Sequence, residues 1–139
     1  MIDDQALDYR VRGDVSDREL TDLHRSAFGV DDDGHDEPWH ARLREHSLLW
    51  VVARAAGELV GFVDVIGDGG VHAVLLDTAV HPEYQRRGVG ARLVSEAAAA
   101  AAELGCHWLH VDYEPHLATF YEQSCGMRPT SAAVLRLRR

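Results

Sequence analysis

Apolar residues recur along the chain with two different periods, and the switches between them divide it into elements. A short strand is expected at Tyr9-Arg10-Val11-Arg12, ended by Gly13. Ser16 and Glu19 then spell an S-x-x-E capping box, with Val15 and Leu20 placed for a hydrophobic staple. Leu20, Leu23, Ala27 and Phe28 line one face of the helix that follows, and Gly29 ends it. Residues 31–37, DDDGHDE, are too polar to pack and read as an acidic loop. Pro38 suits the first turn of a second short helix that turns Trp39 and Leu43 inward.

From Leu48 the period becomes that of strands. Leu48–Ala53, Leu59–Ile66 and Val71–Val80 are apolar runs separated by turns at Ala55–Glu58 and Gly67–Gly70, which predicts a three-strand antiparallel meander. A helix carrying Val89, Leu93, Ala97, Ala100 and Leu104 follows, closed by Gly105. Its Ala97–Ala102 run combines the best helix former with a small side chain, so the helix can lie close on a sheet. Trp108–Asp112 reads as a strand, Pro115–Ser124 as a helix stopping near Gly126, and Val134–Leu137 as a final strand. Residues 1–139 contain no repeat and no linker, as expected of a single α/β (α+β) domain.

Composition narrows the chemistry. With 14 basic against 23 acidic residues the net charge is −9, which argues against a nucleic-acid partner. No basic-then-apolar leader and no apolar run of roughly 18–20 residues is present, so a cytoplasmic protein without membrane partners is expected. The chain has no Lys and no Asn, which excludes Schiff-base chemistry, a Walker-type phosphate loop and N-glycosylation. Cys106 and Cys125, outside any CxxC spacing, read as buried reduced thiols. His35, His40 and His46 straddle a loop–helix boundary, and His107 and His110 have opposite strand parity, so no metal site is expected.

The most informative segment is His81-Pro82-Glu83-Tyr84-Gln85-Arg86-Arg87-Gly88-Val89-Gly90, a glycine-bearing turn between a strand and a helix. The first N–H groups of a helix have no intrahelical partner, and the helix dipole places partial positive charge there. Gly88 and Gly90 would let a pyrophosphate approach the backbone, and Arg86 and Arg87 add guanidinium groups suited to phosphate. The turn lacks the third glycine of the dinucleotide fingerprint. On spacing alone it fits any polyphosphate ligand, ATP or NAD included.

The stretch LLDTAVHPEYQRRGVGARLV resembles the core motif of the GNAT superfamily of acyl-CoA-dependent N-acyltransferases. EPHLATFYEQSCGM resembles that family's later helix, and the order of elements agrees from about Tyr9 to Leu137. The resemblance implies a mixed central sheet with an antiparallel meander, splayed central strands and about four helices. It implies acetyl-CoA as cosubstrate, its pantetheine arm paired with the backbone of Thr78, Ala79 and Val80. Its pyrophosphate would sit on the turn formed by Gln85, Arg86, Arg87, Gly88, Val89, Gly90 and Ala91. Tyr121 falls where many members carry the general acid that protonates the departing thiolate, although packing beside Phe120 would equally make it a core aromatic. The Val80 amide is the implied oxyanion donor.

The implied reaction is direct acetyl transfer to an amine in a ternary complex. Its base is not evident: Val74 and Leu76 stand where several relatives carry Glu or His, and strand alternation turns Asp77 to the opposite face unless a bulge intervenes. Asp64, His72, Asp112, Glu114 and His116 are further candidates. The missing base and the replacement of a customary Asn by Asp112-Tyr113-Glu114 keep a second class open, a non-catalytic acetyl-CoA-binding regulatory or partner-binding module. The acidic loop, Val30–Glu37, would border the acceptor site and favour a cationic acceptor, whether small amine or protein. Members of the family are often homodimers.

Overall fold

The computed structural model describes residues 7–138. Five strands form one sheet in the order of the chain: β1 (Leu7–Val11), β2 (Leu49–Ala55), β3 (Glu58–Gly67), β4 (His72–Val80) and β5 (Trp108–His110). The first four are antiparallel and β5 joins β4 in parallel, so the sheet is mixed. Helices α1 (Asp17–Phe28) and α2 (Trp39–His46) cover one face, and α3 (Val89–Glu103) covers the other. A single helical turn at Pro115–Leu117 and a π-helix at Thr119–Ser124 follow β5.

Local chemistry explains the boundaries. Ser16 Oγ accepts from the Glu19 N–H while Glu19 Oε2 accepts from the Ser16 N–H, completing the expected capping box. Gly29, in the left-handed region at φ +67°, ends α1. The β2–β3 turn needs positive φ at both central residues, Ala56 and Gly57, which matches the twist of the flanking strands. Phe62, Leu20, Leu23, Trp39, Leu43, Val52 and Ala79 fill the core beneath α1 and α2. Val51, Val63, Val65, Leu75, Leu93 and Ala97 fill the core beneath α3.

Three expectations at the C-terminal end are corrected. β5 stops at His110 rather than Asp112. The Pro115–Ser124 helix is a tight turn joined to a π-helix, in which the Cys125 N–H donates to the Phe120 carbonyl at 2.9 Å. Val134–Leu137 is not a strand: it pairs with nothing among the described residues, and its apolar side chains lie in solvent. The thiols of Cys106 and Cys125 are free but only half-buried.

Candidate active site

Parallel pairing between β4 and β5 covers only His72–Val74 opposite Trp108–His110. β5 ends at His110, and from Leu75 to Val80 this edge of β4 pairs with no strand among the described residues. Thr78, Ala79 and Val80 therefore stand on a free strand edge, as the splayed geometry requires. Their other edge is held by β3, with Phe62 opposite Ala79 and Gly61 opposite Val80.

The same pairing contains the bulge that decides where Asp77 points. Register with β3 shifts between Phe62 and Asp64, so Asp77 and Thr78 together oppose Val63. Asp77 takes the left-handed conformation, φ +56°, which Asp tolerates better than most residues. Parity reverses across it: Ala73 and Leu75 pack beneath α3, whereas Ala79 packs beneath α1 and α2. Asp77 itself turns to α1, where its Oδ1 lies 3.3 Å from His24 Nε2. Alternation alone would have hidden this carboxylate from the α1 face.

The turn before α3 combines left-handed residues with backbone N–H groups left free. Arg86 (φ +63°) and Gly88 (φ +81°) both adopt left-handed conformations, and Gly88 caps the helix with open space where a Cβ would stand. Among the described residues, the N–H groups of Arg86, Arg87, Gly88, Val89, Gly90 and Ala91 make no well-formed hydrogen bond to protein. Gln85 has a bracing place, its Nε2 donating to the Val80 carbonyl at 3.0 Å and tying the turn to the end of β4. Gly90 has a packing reason besides the phosphate approach expected of it. A Cβ there would meet Phe120 Cζ at 3.0 Å and Cε1 at 3.1 Å, so the ring of Phe120 sets its size limit.

Tyr121 sits in the π-helix next to this junction. It is nearly buried in the α3-side core, edge-on to Phe120 at 4.8 Å and tilted against Tyr113 at 5.1 Å. Burial raises its phenol above the ordinary range, and the adjoining Thr78 side chain pulls the other way. The wider π turn thus brings the predicted general acid to the free edge of β4.

On the opposite face an open cleft of about 650 Å³ lies between α1, α2 and the bulged half of β4. His24, Asp64, Asp77, Leu76, Asp33 and Glu37 are among its walls. Asp64, 5% exposed, accepts from Ser47 Oγ at 2.5 Å, and burial pushes its carboxyl above the usual range. The Trp39 ring lies beneath Arg42 (3.9 Å) and beside His24 (5.4 Å), and its Nε1 is buried without a partner. His24, Trp39 and Arg42 were not singled out as site residues from the sequence. The available signal was His24 itself, a titratable side chain bordering the apolar stripe of α1.

The acidic loop is not a free cluster of charge. Arg25 donates to Asp32, Asp33 and the His35 carbonyl, and Arg18 donates to Asp32 and Asp36. Thr21 Oγ1 accepts from the Glu37 N–H, fixing the loop against α1. Of the remaining base candidates, His72 and His110 pair with each other at 2.8 Å on the exposed β4–β5 surface, outside the residues that wall the cleft.

Known proteins share this architecture. An aminoglycoside acetyltransferase from an uncultured soil metagenomic sample, solved with trehalose, superposes with a TM-score of 0.78 over 98% of this chain and 97% of its own, at 17% identity. Aminoglycoside N-acetyltransferase AAC(6')-Iy, solved with CoA, gives 0.75 over 96% and 95%, at 22% identity. In sequence, mycothiol acetyltransferase of Mycobacterium avium (strain 104) is 30% identical over 86 residues, 62% of this chain. The chain spans about a quarter of the length of that relative (26%). The family model described as acetyltransferase (GNAT) family matches residues 17–127, and the chain belongs to that family.

Proposed function

We propose that the chain transfers an acetyl group from acetyl-CoA to a cationic amine held in the cleft beside Asp77, within a ternary complex. The observation that carries this reading is one junction. The free edge of β4, the unpaired N–H groups of Arg86–Ala91, and Tyr121 meet on one side of the sheet, and the acidic cleft opens on the other at the bulge.

In this reading the backbone of Thr78, Ala79 and Val80 pairs with the pantetheine arm. The amides from Arg86 to Ala91 and the arginines hold the pyrophosphate. Asp77 and His24 receive the ammonium and take its proton, directly or through water, since an alkyl amine with a pKa of about 10.4 must be deprotonated to attack. The Val80 N–H steadies the carbonyl oxygen as it becomes negative. Tyr121 gives its proton to the departing thiolate. Its raised pKa keeps the phenol protonated at neutral pH, but makes transfer to a thiolate of pKa about 8.5 uphill. The Thr78 side chain reduces that deficit by lowering the phenol's pKa.

The test is amine-dependent release of free CoA, measured with Tyr121→Phe beside the unmodified chain. The variant is expected to lose about 100-fold or more in turnover while keeping its thermal shift with acetyl-CoA. Acetyl-CoA at about 100 times its dissociation constant should stabilise either protein by about 2.7 kcal/mol. Undiminished turnover in the variant removes Tyr121 from the chemistry. An absent thermal shift removes acetyl-CoA itself, and a shift without CoA release leaves the non-catalytic binding module.

A further inference from the structure

The cleft beside α1 carries charges of both signs, and most of them already have partners. Arg25 is tied to Asp32 and Asp33, His24 lies 3.3 Å from Asp77, and Asp64 accepts from Ser47. Glu37 is the one further carboxylate in the walls, and it is exposed to solvent. Arg42 differs from the other cation in being unpaired. It is among the cleft walls, yet among the described residues its side chain makes no hydrogen bond and no ion pair. Asp64 is near enough for the Arg42 charge to lower its pKa, but its bonded partner is Ser47.

What positions Arg42 is Trp39, three residues earlier on α2, whose ring centre lies 3.9 Å from the guanidinium carbon. Trp39 is buried and packs against Phe62 at 5.8 Å, so the platform is fixed in the core. A guanidinium in such a contact uses its charge but keeps its N–H donors, which match a carboxylate in bidentate geometry. The Trp39 ring is in turn 5.4 Å from His24, which adjoins Asp77. An unpaired cation and a carboxylate thus stand within reach of one small molecule. Leu76, Ile66 and Val30 give the same cleft an apolar wall, with Leu76 39% and Val30 56% exposed. Such a wall is surface that a ligand's hydrocarbon can cover. A polyamine would leave it uncovered and set like charge against Arg42.

We propose that the acceptor is an α-amino acid with an apolar side chain. Arg42 takes its carboxylate, Asp77 and His24 receive its ammonium, and its side chain lies against Leu76, Ile66 and Val30. This rests on the reading of the cleft as the acceptor site, and names the class of acceptor that the reading leaves open. The cationic end still meets Asp77, while the molecule as a whole is neutral. In the transfer the N–C bond forms as the C–S bond of acetyl-CoA breaks. The amino acid and acetyl-CoA give an N-acetyl amino acid, the CoA thiol and one released proton.

The test is calorimetric titration of L-leucine and of L-leucinamide into the 139-residue chain saturated with CoA, alongside CoA release from acetyl-CoA. Leucine is expected to bind about 10- to 100-fold more tightly than leucinamide, which keeps the amine and side chain but lacks the carboxylate. Arg42→Gln is expected to erase that difference, and Arg42→Lys to restore part of it, since lysine keeps the charge without the fork. A retained cooperative melt shows that each variant is folded. Leucine binding no tighter than leucinamide binding overturns the proposal, as does a difference that survives Arg42→Gln. Release of CoA with spermidine or an aminoglycoside but not with leucine also overturns it, and leaves the acetyl-transfer reading in place. Carboxylate-dependent binding without CoA release does the reverse: it upholds Arg42 as the carboxylate anchor and removes the transfer reading.

Discussion

Replacing Gly90 by Ala separates two reasons for glycine at the start of α3. If glycine is needed only so that a phosphate can approach, alanine should stabilise the ligand-free protein, because it is the better helix former by up to about 1 kcal/mol. The structure argues otherwise. The new methyl group would lie 3.0 Å and 3.1 Å from two ring carbons of Phe120, with Val80 Cγ2 at 3.7 Å. Carbon atoms pack best at about 3.5–4.0 Å, so the ring must retreat by roughly half an ångström. Phe120 packs edge-on against nearly buried Tyr121, so a shift of its ring is expected to disturb the phenol.

Overpacking of this kind typically costs about 1–3 kcal/mol. Less the gain in helix propensity, the net loss is about 0.5–2 kcal/mol, or a fall in Tm of about 2–7 °C for a domain of this size. Scanning calorimetry without ligand measures it. Phe120→Leu in the same chain should recover part of the loss, giving a positive coupling in the double-mutant cycle. A Tm that is unchanged or higher in Gly90→Ala, or additivity of the two substitutions, would refute the packing argument. The displaced phenol should also lower turnover in Gly90→Ala, a second consequence of the same contact.

Other perturbations probe the rest of the chain. The Arg54 guanidinium, 2.6 Å from the carboxylate, holds Glu19 at a pKa of about 2 against an ordinary 4.5. A depressed acid stabilises the fold fully above its unfolded pKa and loses that contribution as pH falls through its folded one. Discounted for exposure, the contribution is about 1–2 kcal/mol. Tm should therefore fall more between pH 4.5 and 2 in the unmodified chain than in Glu19→Gln, and parallel curves would contradict it. For Asp64 the sign reverses: burial raises its pKa, so its charge destabilises the fold as pH rises through that value. Asp64→Asn should melt higher at neutral pH, with the gap closing in acid, and a lower neutral Tm would show that the carboxylate is paired rather than penalised. Asp77→Asn should cut amine-dependent CoA release by about 100-fold without changing the acetyl-CoA thermal shift. Unaltered release would return the base to another group.

What could be read from the sequence was what local chemistry determines. The capping box of α1 needs only Ser16 and Glu19, three residues apart, and both hydrogen bonds form. The turn before α3 shows itself through Gly88, which takes the left-handed conformation there. Asp77 could not be placed in the same way, because its direction depends on how β4 registers against β3. Nothing in the order His72–Val80 fixes that register. Tyr121 was legible as a residue but not as a geometry, since a six-residue segment is too short for its apolar period to separate an α-helix from the observed π-helix. The Val134–Leu137 alternation was legible too, yet alternation alone does not make a strand, and this segment pairs with nothing among the described residues.

On the proposed reading, the bulge also lets an acidic protein serve an anionic donor and a cationic acceptor together. An unbroken β4 would keep Leu75 and Ala79 on the same face and turn Asp77 toward the Tyr121 side of the sheet. There its negative charge would stand beside the phenol and oppose a departing thiolate. The extra residue sends Asp77 to the His24 side and Thr78 to the Tyr121 side, one position apart on the chain. Carboxylates at Asp33, Glu37, Asp64 and Asp77 wall the cleft beside α1, the proposed acceptor side, while Arg86 and Arg87 lie in the turn before α3, the proposed donor side. The two charges are separated by the sheet but meet at its free edge. Deleting Asp77 removes the bulge yet leaves Leu76 on the His24 side and Thr78 on the Tyr121 side, so it should cost about as much turnover as Asp77→Asn. A much larger loss in the deletion than in Asp77→Asn would show that the bulge contributes more than the position of its carboxylate.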